Sequence, residues 1–81
     1  MAPPSGPVRS STNDATAGIL IREARRTSGL TQQDLATAVK VSRQTIIAME
    51  TGDYAPSVYL AIKIARSLGA TVEGLWGSST S

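Results

Sequence analysis

Eighty-one residues, with 8 Lys or Arg against 6 Asp or Glu, fit one small domain of formal charge +2. The chain has no cysteine and no histidine. That removes a disulfide framework, a thiolate metal site, a cysteine nucleophile, and both the commonest general base and the commonest metal ligand. The carboxylates Asp14, Glu23, Asp34, Glu50, Asp53 and Glu73 are scattered without a paired motif, so neither an enzyme nor a cofactor is expected. No run approaches the roughly 18 apolar residues of a membrane span. Pro3, Pro4 and Pro7 interrupt any apolar signal core, and a cytoplasmic protein with no membrane contact is expected.

Residues 1–14 are rich in Pro, Ser, Gly and Thr. Such a segment offers too little burial to offset its ordering entropy, so it reads as a flexible tail, and 77–81 reads the same way. Between them, residues 15–76 form the folded unit, in which Gly29, Gly52 and Gly69 each follow a segment of helical period. The first helix is expected over 15–28, with Ile21 and Ala24 inward and Arg22, Glu23 and Arg26 outward. Thr31 then reads as an N-cap, with Asp34 completing a capping box and Leu30 and Leu35 forming a hydrophobic staple. Ser42 repeats the arrangement with Val41 and Ile46. Two capped starts so close together require two short helices, 32–39 and 43–51, with Lys40 and Val41 in the turn between them. A fourth helix, 58–68, follows Pro56 and the cap Ser57, and a fifth, 72–76, follows Thr71. No strand-like alternation of useful length appears, and the fold class is all-α with five helices.

The stretch from Gln32 to Glu50 carries the functional signal. Ala36 is small enough for the next helix to cross closely, as a tight helix-turn-helix corner requires. Val41 and Ile46 fill the angle between the two helices. The outward face of the second of them then presents Arg43, Gln44, Ile47 and Ala48, with Thr45 beside them.

Taken together, the strings LTQQDLA at 30–36, VSRQTI at 41–46, METG at 49–52, YAPS at 54–57 and LAIKIA at 60–65 are in register. With Arg25, Leu68-Gly69 and Leu75-Trp76, they resemble the Cro/repressor (xenobiotic-response-element) helix-turn-helix family over about 21–76. That resemblance implies a compact repressor-like domain that binds double-stranded DNA and regulates transcription as a repressor, with helix 43–51 in the major groove. It places Ser42, Arg43 and Gln44 at base-reading positions. Arg suits guanine O6/N7, and Gln suits adenine N6/N7. Ala48 offers a methyl group to thymine, Thr45 either packs partly or offers one as well, and Ile47 either meets a thymine methyl or shields the helix stem. Gln32 matches a phosphate contact, and Thr31, Lys40 and Tyr54 join it as expected phosphate contacts; Tyr54 reads equally as a packed loop residue. Arg25 and Glu50 match a buried structural ion pair.

Two positions depart from the family pattern. Lys40 stands where a glycine usually turns the chain, at a cost on the order of 1 kcal/mol if φ is positive. Asp53 stands where many relatives carry Lys or Arg, and an acid there repels phosphate. The resemblance also implies a homodimer through 68–76, with Trp76 either a lid over Ile64 and Leu75 or part of that contact. A competing reading is an antitoxin or accessory module that binds a protein partner.

Overall fold

The computed structural model describes residues 11–77, and of 11–14 the backbone alone. Five helices follow one another: α1 (Ser11–Thr27), α2 (Gln32–Val39), α3 (Arg43–Glu50), α4 (Val58–Leu68) and α5 (Val72–Trp76). Four of their starts are set by a hydroxyl side chain that accepts from the third helical N–H, satisfying a donor the helix itself cannot. Thr31 Oγ1 accepts from the Asp34 amide at 2.9 Å, while Asp34 Oδ2 accepts from the Thr31 amide at 2.9 Å, so the capping box is complete. The Thr31 amide, and after it the Thr31 hydroxyl, hold the Asp34 carboxyl below its ordinary pKa. Ser42, Ser57 and Thr71 cap α3, α4 and α5 in the same way.

Burial follows the helical period. Ile21 of α1, Leu35, Ala36 and Val39 of α2, Ile46 and Met49 of α3, Ile64, Ala65 and Leu68 of α4, and Leu75 of α5 make one core. Leu30, Val41 and Trp76 are half-buried against it, so Trp76 covers the core, as a lid would. Helix α3 packs on both α1 and α2, which fixes its buried side and frees the opposite one.

Three helix boundaries differ from the sequence expectation. Helix α1 begins at Ser11, four residues before the expected start, so residues 11–14 are helical and not tail. Once the amphipathic part is nucleated, a further turn propagates at little cost. Its last helical residue is Thr27; Ser28 belongs to the closing turn, where the Gly29 amide donates to the Arg26 carbonyl at 3.0 Å. Helix α3 ends at Glu50, with Thr51 as its cap. Gly52 at φ +84 turns the chain away there, and the Thr51 hydroxyl folds back on the Ala48 carbonyl at 3.1 Å. Residues 1–10 and 78–81, which the tail expectations also cover, lie outside the described residues.

Lys40 closes α2 in the left-handed region, at φ 63 and ψ 46, and is the one non-glycine residue with positive φ among those described. Its amide donates to the Thr37 carbonyl at 3.3 Å, and the Val41 amide donates to the Ala36 carbonyl at 3.0 Å. Those bonds satisfy the helix end, so the strain is held by the turn and not relieved in it. Lys40→Gly is therefore expected to stabilise the domain by about 1 kcal/mol. For a domain of this size that raises Tm by roughly 4–8 °C in a thermal unfolding measurement.

Candidate nucleic-acid interface

The site begins with how α3 is held. Ile46 and Met49 sit in the core, and Glu50 at the end of the helix is 8% exposed. Its carboxylate meets Arg25 of α1, itself 9% exposed, in a bidentate pair: Nε donates to Oε2 at 2.6 Å and Nη2 to Oε1 at 3.2 Å. A third donor, Arg25 Nη1, reaches the Leu30 carbonyl at 2.8 Å. One guanidinium thus joins α1, the turn before α2, and the end of α3. Bidentate geometry fixes orientation as well as separation, which two single bonds to a lysine would not.

Gln32 completes the anchor. Its Nε2 donates to Glu50 Oε1 at 3.1 Å, linking the first residue of α2 to the last of α3. This bond was not foreseen from the sequence, which placed Gln32 on a phosphate. The two roles are compatible, because an amide nitrogen carries two N–H donors and Glu50 takes one. Gln32 is half-exposed at the α2 N-terminus, where the helix dipole favours negative charge.

Helix α3 is fixed closely enough that α1 must yield space to it. A Cβ built on Gly18 would lie 2.5 Å from the Glu50 carbonyl oxygen and 2.6 Å from that of Met49. Sequence reasoning passed over Gly18. The available signal was a glycine inside a helical pattern, where it costs stability unless packing demands it.

The free side of α3 carries the expected readers together. Arg43 and Gln44 are exposed, Ser42 is exposed at the cap, and Thr45, Ile47 and Ala48 are partly exposed beside them. Ser42 and Thr45 are tied to each other, hydroxyl to hydroxyl at 3.0 Å, so this pair presents one fixed polar edge. Thr31 is exposed, but its hydroxyl and amide are committed to the capping box. Lys40 is exposed, and Tyr54 is 43% exposed in the loop after α3. Asp53, the acid in that loop, accepts from the Thr51 hydroxyl at 3.0 Å. The segment 68–76 keeps Leu68 and Leu75 inside the core, while the most exposed large apolar side chains are Tyr59 and Val58 of α4.

A short helix held across a tight corner by core residues and an ion pair, with its polar face open, defines a helix-turn-helix unit. The helix-turn-helix family model matches residues 21–75. An uncharacterized HTH-type transcriptional regulator of Methanothermobacter thermautotrophicus is 62% identical over 50 residues, covering 62% of this chain and 72% of that one. Among solved structures, the restriction-modification controller protein C.AhdI of Aeromonas hydrophila superposes with a TM-score of 0.74. It is 26% identical and is matched over 79% of this chain and 97% of its own. The clp gene regulator ClgR of Corynebacterium glutamicum has a TM-score of 0.74 at 28% identity, over 78% of this chain and 67% of its own. The chain belongs to the helix-turn-helix family, and the Cro/repressor resemblance drawn from its motifs holds.

Proposed function

We infer that this DNA-binding transcriptional regulator lays α3 in the major groove of double-stranded DNA and represses transcription at the sites it occupies. The observation that carries the reading is the single face of α3 on which Arg43, Gln44, Ile47 and Ala48 stand open while Ile46, Met49 and Glu50 are buried. Arg43 and Gln44 read bases by paired hydrogen bonds, Ser42 and Thr45 border them, and Ile47 and Ala48 meet thymine methyls. Gln32, Lys40, Tyr54 and the Thr31 turn hold phosphates and set the register. Repression fits the Cro/repressor resemblance, since a protein seated in the groove excludes others from the same sites. The names of two structural relatives, a gene regulator and a controller protein, agree with a role in gene control.

Two copies would bind as a homodimer, their recognition helices about 34 Å apart on one face of the duplex. The contact proposed for them is 68–76. With Leu68 and Leu75 taken by the core, it rests on the half-buried Ala70, Val72 and Trp76.

The test is a titration of duplex DNA at increasing salt. Binding should weaken steeply, with a log–log slope near 0.9 per phosphate neutralised. Gln32→Ala should weaken all sequences about equally, because its contact carries no base information. Failure to bind duplex at low salt, with binding to a protein partner that persists at high salt, would favour the accessory-module reading instead.

A further inference from the structure

Beside α3 lies an open groove of about 370 Å³, bounded by α1, the start of α2 and the end of α3. Its floor is the Arg25–Glu50 pair, in which the charges cancel. Its rim carries Arg22 and Arg26 of α1, both exposed and one helical turn apart, with Gln32 and Ile47 opposite. Neither Arg22 nor Arg26 makes an ion pair among the described residues. The sequence reading had left both as outward, solvated residues.

We propose that this groove is a phosphate site for the DNA backbone, with Arg22 and Arg26 as its ligands beside the amide of Gln32. The proposal rests on the DNA-binding reading and adds residues to it. Three observations point to the ligand. First, two like charges one turn apart repel each other, and an anion between them removes that cost. Second, the chain's formal excess is only +2. Arg22 and Arg26, without an ion pair among the described residues, set two of its positive charges on the rim of one groove. Glu50, the acid that lines the groove, is committed to Arg25 and Gln32; Glu23, beside Arg22 on α1 and three residues before Arg26, is exposed and makes no ion pair with either among the described residues.

Third, the groove adjoins the reading face. Ile47, which lines it, follows Arg43 by four residues of α3, about 6 Å along the axis. A phosphate held there belongs to the same duplex whose bases Arg43 would meet. The planar forks of two arginines suit the oxygens of a phosphodiester. Because no base edge is involved, the contact adds affinity and register without adding sequence preference.

The full-length chain is titrated with a duplex carrying its preferred site and with a scrambled duplex, over a range of salt. Arg22→Gln with Arg26→Gln should lower the magnitude of the salt slope by roughly 0.9, the value of the one phosphate they share. Extrapolated from 1 M salt to 0.1 M, that is roughly an eightfold loss of affinity for the pair. Both duplexes should lose equally, and lysine at each position should restore most of the slope. A methylphosphonate scan that removes one backbone charge at a time should find a phosphate whose neutralisation makes the double variant and the wild type alike. A double variant that keeps the wild-type slope, while the wild type binds with steep salt dependence, overturns the groove and leaves the DNA reading intact. A wild type that fails to bind duplex at low salt overturns both. Thermal unfolding of the double variant, expected near the wild-type Tm because both side chains are exposed, separates loss of contact from loss of fold.

Discussion

Glu50→Ala is expected to destabilise the domain by about 3–5 kcal/mol, the cost of leaving a buried charge without its partner. Arg25 is 9% exposed, and the carboxylate it loses was its bidentate partner. The same substitution strips Gln32 of its acceptor and leaves α1 and α3 joined by packing alone. Domains of this size have total stabilities of only several kcal/mol, so the variant should be largely unfolded at 37 °C. Urea titration followed by circular dichroism measures it, as a fall in the midpoint with an unchanged slope. Replacing both partners by apolar residues, Arg25→Met with Glu50→Leu, should recover most of the stability, since the desolvation cost of both charges disappears with them. If the single substitution costs less than about 1 kcal/mol, the pair is more hydrated than its geometry indicates.

Gly18→Ala carries the second large effect. The added methyl would lie 2.5 Å and 2.6 Å from the carbonyl oxygens of Glu50 and Met49, which are main chain and cannot swing aside. Overpacking of this kind costs typically 1–3 kcal/mol, and a clash this deep with backbone belongs at the upper end. Alanine gains about 1 kcal/mol of helix propensity over glycine. The clash wins, and the net loss is expected to be roughly 2 kcal/mol. For a domain of this size that lowers Tm by roughly 10 °C. Relief requires the end of α3 to move away from α1, so the variant should also bind DNA less well than its remaining stability explains. A Tm that rises, as propensity alone would dictate, would show that α1 and α3 are farther apart than described.

These two positions also mark where sequence reasoning ends. The bounds of α2, α4 and α5 were legible because caps and helical period are local: Thr31, Ser42, Ser57 and Thr71 each announce a start through their own backbone. The left-handed Lys40 was signalled only through the resemblance, as the position where the family usually has glycine. The start of α1 was not, because its first turn is polar and no apolar pattern marks it. Arg25 with Glu50 was reached only through resemblance, as nothing local connects residues 25 positions apart. Gly18 against the Glu50 carbonyl, Gln32 on the Glu50 carboxylate, and Arg22 and Arg26 on one groove are meetings in space. Helical period assigns each of them a face, but it does not say which neighbour that face meets.

The central claim is that α3 reads bases, and Arg43 is its sharpest point. The direct measurement is selection of bound sites from random duplexes by the wild type and by Arg43→Ala. The wild type should enrich a defined sequence. The variant should lose preference at one or two positions, worth about 1–3 kcal/mol of discrimination, and keep the rest. If Arg43→Ala selects the same sequence with the same stringency, α3 is not the helix that reads the DNA.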